Sequence, residues 1–158
     1  MALAIKEHIC RGYHLPRSDA VLKARAEFLG QNDRDLVEAV LIEDQPVDVV
    51  ARMKGMTIRT LNHHLHRLGR RMASSQFVQT IRSMSYLDPD DARIARRCFC
   101  QSASQRKLAV ELGLSVHALR RRLDQVRARI DAIAGQKHPV PTAGVRLEQP
   151  ADGLEVNG

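Results

Sequence analysis

The stretch VVARMKGMTIRTLNHHLHRLGRRM, Val49–Met72, lies without a gap over KLAVELGLSVHALRRRLDQVRARI, Lys107–Ile130, when the chain is slid on itself by 58 residues. Ala51 falls on Ala109, Gly55 on Gly113, Leu61 on Leu119, Leu65 on Leu123 and Arg71 on Arg129. Similar residues fill much of the rest: Val50 with Leu108, Met56 with Leu114, Thr57 with Ser115, Ile58 with Val116, Leu68 with Val126, Met72 with Ile130. Upstream, Asp33 meets Asp91, Leu36 meets Ile94 and Val40 meets Cys98. Unrelated amphipathic helices match at a few apolar positions. They rarely match at an Ala, a Gly and a hydroxyl residue as well.

Each copy has the grammar of a short helix, a tight turn and a long helix. In the second copy Asp88-Pro89 opens a leading helix that runs to about Cys100, an N-cap acid followed by proline at the first helical position. Ser102 or Ser104 caps a short helix over Gln105–Leu112. Gly113 stops it, at a place suited to a left-handed backbone. Ser115 then caps a long helix, 116–134, whose Val116, Leu119, Leu123, Val126 and Ile130 form one apolar stripe. Ala109 is small because the two helices meet there. The first copy repeats the plan: Asp33 to about Glu43, a break at Gln45-Pro46, a short helix 47–54, Gly55, Thr57 as cap, and a long helix 58–73. Lys54 stands where the second copy has Leu112, a position expected to be buried. Either Met53 compensates or the first copy is slightly distorted.

The remaining chain frames these units. Residues 1–31 read as two helices, Ala2–Arg11 and Ala20–Leu29, broken at Leu15-Pro16-Arg17-Ser18, with Ser18 as a cap. Residues 74–86 read as a connecting helix with Phe77, Ile81 and Met84 on its apolar edge. From Gly135 on, Pro and Gly recur and periodicity is lost, so 135–158 reads as a disordered tail. The expected architecture is all-α: N-terminal helices over 1–31, two tandem helix-turn-helix units over 32–73 and 88–134, a connecting helix over 74–87, and the tail.

Composition agrees with an aliphatic, helical core. Hydrophobic residues make up 44% of the chain but aromatic ones only 3%, with no Trp. Lys and Arg number 25 against 18 acids, a formal charge of +7, and Arg gathers at 67–71 and 120–129. A basic chain with clustered Arg is the electrostatic footprint of a nucleic-acid binder. Three cysteines, Cys10, Cys98 and Cys100, at no framework spacing, point to a reducing compartment. Cys98 shares its repeat position with Val40 and reads as a buried structural thiol. No apolar run approaches the roughly 20 residues of a membrane span, and the N-terminus is too polar for a secretory signal. A cytoplasmic location, away from membranes, is expected.

LAVELGLSVHALRRRLDQVRARI, Leu108–Ile130, resembles the helix-turn-helix of sigma factor region 4, the domain that reads the promoter −35 element. It is also similar to the LuxR-type effector domain. The residues that carry the likeness are Leu108, Ala109, Leu112, Gly113, Leu114, Ser115, Leu119, Arg122 and Leu123. The first copy matches less well because of Lys54 and its His-rich helix. The resemblance covers roughly Asn32–Ile133. It implies a bacterial or mobile-element-borne regulator that uses the fold twice. Nothing resembles the sigma domain that grips the polymerase clamp, so a complete sigma factor is not expected.

In such units the outward face at the start of the second helix reads bases in the major groove. That face is Arg59, Thr60, Asn62, His63 and His66 in unit one, and His117, Ala118, Arg120, Arg121 and Gln125 in unit two. Arg suits guanine and Asn suits adenine. Thr57 and Ser115, with the helix N-termini, suit phosphate. Arg67, Arg70, Arg71, Arg122, Arg127 and Arg129 are expected to contact backbone phosphate or to solvate a helix end.

Other chemistry has weaker support. His63-His64-x-His66 has no carboxylate or thiol at supporting spacing, so a groove-facing helix is preferred over zinc. No nucleophile–base pair, phosphate-binding Gly loop or cofactor motif stands out, and the expectation is a non-enzymatic protein without cofactor. The expected partner is double-stranded DNA. The alternatives are an adaptor that binds RNA polymerase or another regulator, with unit one as the docking module, and a non-specific nucleic-acid binder. The N-terminal helices offer a surface for a homodimer.

Overall fold

The structure, a computed structural model, describes residues 2–136, and side chains from Ile5. The segment read above as a disordered tail lies outside the described residues apart from Gly135 and Gln136. The described chain is all-helical: α1 (Ala2–Gly12), α2 (Asp19–Ala26), α3 (Gln31–Val37), α4 (Val47–Met53), α5 (Ile58–Ala73), α6 (Ser75–Ser83), α7 (Pro89–Ala95), α8 (Gln105–Glu111) and α9 (Val116–Gly135). No helix among the described residues is long and apolar enough to cross a membrane.

The sequence repeat is also a repeat of backbone conformation. α3 and α7 each widen into a π turn, Glu38–Ile42 and Arg96–Cys100. Each π turn is closed by the same two bonds: Glu43 N–H to Glu38 O (2.8 Å) and Gln45 N–H to Ala39 O (2.9 Å) in one, Gln101 N–H to Arg96 O (3.0 Å) and Ala103 N–H to Arg97 O (2.8 Å) in the other. Each then passes through one left-handed residue, Asp44 (φ 54°) or Ser102 (φ 51°). α4 and α8 end alike. Met56 N–H reaches Ala51 O (2.8 Å) and Leu114 N–H reaches Ala109 O (2.9 Å), while Gly55 and Gly113 both take φ 64°. This is a Schellman cap, which puts its left-handed residue one past the helix, where glycine has no Cβ to clash. Thr57 and Ser115 then start α5 and α9. Thr57 Oγ1 accepts from Thr60 N–H (3.1 Å), and Ser115 Oγ from Ala118 N–H (3.0 Å). Each cap satisfies one of the N–H groups that a helix start leaves unpaired.

The stripes of the long helices form the core. Leu61, Leu65, Leu68 and Met72 of α5 are buried with Leu36, Val37, Val50 and Ala51, and with Ile9 and Leu22 from the first two helices. Their counterparts Leu119, Leu123, Val126 and Ile130 of α9 are buried with Ile94, Ala95, Leu108 and Ala109 in two smaller clusters. Each buried Leu or Ile contributes about 1.5–3 kcal/mol relative to exposure. α6 packs against both α5 and α9, and its Phe77 is fully buried in the first core. Arg96 also ties unit two to the end of α2, donating to Glu27 O (2.6 Å) and lying over the Phe28 ring. The connecting helix therefore joins the units by packing.

Three sequence expectations change. Lys54 is exposed at the end of α4, with its ammonium 3.6 Å from Asp35. Met53 does not compensate for it, being 76% exposed, and the turn is undistorted. The fully buried thiols are Cys10 and Cys100, whereas Cys98 is half-buried. Burial pushes the Cys100 thiol up to about 12. Finally, Ser18, Asp88 and Ser104 stand at N-cap positions without a side-chain capping bond. The Asp88 carboxylate instead accepts from Arg129 (3.1 Å).

Candidate nucleic-acid interface

The expected reading faces sit at the starts of α5 and α9, opposite the buried stripes. In unit one Arg59, Thr60, His63 and Arg67 are exposed, and in unit two His117, Arg120, Arg121 and Gln125. Thr57 and Ser115 are exposed as well, each with its oxygen turned to its own helix start. Thr57 also shares a hydrogen bond with the Thr60 hydroxyl (2.8 Å). Arg120 is steadied by Gln105 of α8, which accepts from its Nε (3.2 Å).

Other members of the expected set turn away from solvent. His66 lies under α1, with Nδ1 hydrogen-bonded to the Tyr13 hydroxyl (3.2 Å) and its ring edge-on to His8. Burial holds its pKa below the ordinary value, and His8, His63 and Arg70 lower it further. Asn62 is half-buried, with Oδ1 enclosed and unpartnered. Gly69, one turn further, lets α1 approach: a Cβ there would stand 2.6 Å from Ile9 Cγ2 and 3.0 Å from Tyr13 Cδ2. α1 thus covers the side of α5 that carries His66 and Gly69. The matching side of α9 carries Arg120, Asp124 and Arg127 and borders an open groove with Cys98, Phe99 and Gln105.

Several expected phosphate contacts are engaged inside the protein. Asp33 Oδ1 accepts from His64 Nε2 (2.8 Å) and Oδ2 from Arg71 (3.0 Å). Asp91 Oδ1 accepts from Arg122 Nε (3.0 Å) and Oδ2 from Arg129. His64 and Arg122 share one repeat position, and Arg71 and Arg129 another, so the same clamp ties the leading helix to the long helix in both units. Arg127 lies over Phe99 and Arg70 over Tyr13. The offset that pairs Asp33 with Asp91 also pairs the clamp's basic residues, and that signal was sufficient to find it. Exposed Arg106 and Lys107 at the start of α8 extend the basic surface of unit two beyond the residues singled out from sequence.

The turn surfaces of the two units differ in chemistry. Unit one exposes Val49 and Met53, one turn apart on α4, then Met56 and Ile58. Unit two has Lys107, Glu111, Leu114 and Val116 at those positions, with Glu111 accepting both its bonds from Arg97 (2.9 Å each).

Comparison with protein families, curated proteins and solved structures returns no match to this chain. Unit two offers a helix start with cationic and amide side chains, held by a clamp and a Schellman turn. Such a surface suits the acceptor-rich edges of base pairs and the phosphates beside them.

Proposed function

We propose that the chain is a sequence-specific, double-stranded-DNA-binding transcriptional regulator of the bacterial cytoplasm. On this reading its two repeats are helix-turn-helix units related to sigma region 4 and LuxR-type domains. The observation that carries the reading is the start of α9. His117, Arg120, Arg121 and Gln125 are exposed together on a helix capped by Ser115, while the arginines behind them, Arg122 and Arg129, are spent on Asp91. A groove-reading helix needs that division, because a base contact discriminates only when the side chain is exposed and its helix is fixed. The formal charge of +7 supports a phosphate component that is sequence-independent and salt-sensitive.

A second reading is favoured for unit one by its exposed Val49, Met53, Met56 and Ile58. Apolar side chains placed against phosphates lose hydration without gaining a partner, so this unit is suited to protein contact, and unit two is the principal reader.

Selection from a random duplex pool with the purified protein, at near-physiological salt, tests the proposal. An enriched motif supports it. Binding without enrichment means non-specific coating, and no binding moves the function to a protein partner.

A further inference from the structure

The apolar surface of unit one has an unusual rim. Val49, Met53, Met56 and Ile58 are all exposed, Met53 by 76% and Ile58 by 51%. Around them stand exposed Arg52, Lys54 and Arg59, with two acids beside them: exposed Asp48, and Asp35, whose carboxylate lies 3.6 Å from the Lys54 ammonium. The second repeat is an internal control. There the corresponding places hold Lys107, Glu111, Leu114 and Val116, with Val110 in place of Arg52 and Leu112 in place of Lys54. The same backbone is therefore built twice: the second copy exposes one large apolar side chain there, Val110 (81%), with Leu114 and Val116 half-buried, whereas the first exposes four beside its basic residues. Its complement is a segment with a few large aliphatic residues among carboxylates.

The chain contains such a segment beyond the described residues. Leu147–Val156 reads LEQPADGLEV: it carries Glu148, Asp152 and Glu155, no basic residue, and the aliphatic Leu147, Leu154 and Val156. Between it and the end of α9 run residues 137–146. Ten extended residues span about 33–36 Å. A compact body of this size has a radius of gyration of about 14 Å, so that reach is comparable to its full width.

We propose that Leu147–Val156 docks on the Val49–Met53–Met56–Ile58 surface of its own chain, with its carboxylates against Arg52, Lys54 and Arg59. The contact does not depend on DNA reading by either unit.

The chain has no Trp, so Leu154→Trp in the full-length protein provides a single reporter. The expected result is blue-shifted emission, shielded from iodide and unchanged on dilution. Met53→Glu combined with Ile58→Glu, both at exposed positions, abolishes the shift, and Glu148→Lys with Glu155→Lys weakens it. Fully solvated emission in the parent reporter overturns the proposal. So does a blue shift that survives Met53→Glu and Ile58→Glu, since the segment then sits elsewhere. A shift lost on dilution overturns docking within one chain, because the occupant then comes from a second copy.

Discussion

Asp33 and Asp91 hold one position in two copies of the same fold, and each accepts hydrogen bonds from two side chains of the long helix that completes its unit. The bonds cross from the start of the leading helix to the middle and end of the long one. They fix the angle at which α5 and α9 leave the core. Asp91 is the more enclosed, at 5% exposure, and both its partners are guanidinium groups. In unit one a histidine replaces one of them.

The two clamps should therefore differ in worth. Asp91→Ala leaves Arg122 without its acceptor and Arg129 with Asp88 alone, and both are partly solvated, so water recovers part of the loss. The expected cost is about 1–2 kcal/mol. Asp33→Ala should cost less. Urea unfolding of the two variants checks the order, and equal midpoints would refute it. In a double-mutant cycle, Asp91→Ala with Arg129→Ala should cost less than the sum of the single changes.

Gly69→Ala is the second prediction. Inside a helix this change normally stabilises by up to about 1 kcal/mol. Here the new methyl would meet Ile9 Cγ2 at 2.6 Å, on a fully buried side chain, and the Tyr13 ring at 3.0 Å. Overpacking of this kind costs about 1–3 kcal/mol, so the net sign is destabilising. Combined with Ile9→Ala it should cost less than the sum of the two single changes, measured by thermal unfolding. A stabilised Gly69→Ala variant would mean that α1 is not seated on α5.

The repeat, the turn glycines and the stripes were legible in the sequence because they are local patterns repeated at one offset. The long helix predicted over 58–73 has those bounds in the structure. The π turns were not legible, since the apolar spacing of a π turn over five residues differs little from that of an α-helix. Nor was the cover over Asn62 and His66. Both lie on the polar side of α5, and for His66 it is the arrival of α1 and Tyr13 that covers the ring. The same holds for α4: with Val47, Val49, Val50 and Met53 in seven residues, periodicity does not say which of them face solvent. Lys54 is exposed where a buried residue is expected because it stands at the helix end, where a long side chain can leave the core and reach Asp35.

The third prediction concerns pH. His66 titrates below its ordinary 6.5 in the folded chain, first because it is buried and then because His8, His63 and Arg70 are near. The unfolded chain takes up this proton first. The contribution to stability is therefore complete above about pH 6.5 and is lost as pH falls from there through the folded value. Tyr13, hydrogen-bonded to Nδ1, is the other group that faces the ring. Thermal midpoints at pH 7.5 and 5.5 should differ more in the native chain than in His66→Gln. Equal differences in the two chains would assign the pH dependence to other groups.

The fourth prediction separates the reading face from the clamp. If unit two reads DNA as proposed, Arg121→Ala should cost about 1–3 kcal/mol on the selected site and relax the preference at one base pair. Arg120→Ala should do likewise, with part of its effect passing through Gln105, which holds its Nε. Arg122 has a different role, because its Nε is committed to Asp91. Arg122→Ala should lower stability and weaken binding to all sequences alike, leaving base preference intact. A salt titration alongside the selection distinguishes the cases: loss of a phosphate contact lowers the slope of log affinity against log salt by about one, whereas loss of a base contact changes the motif. If Arg121→Ala changed only the slope, Arg121 would be a phosphate contact, and the search for base readers would move to His117 and Gln125 on the same exposed face.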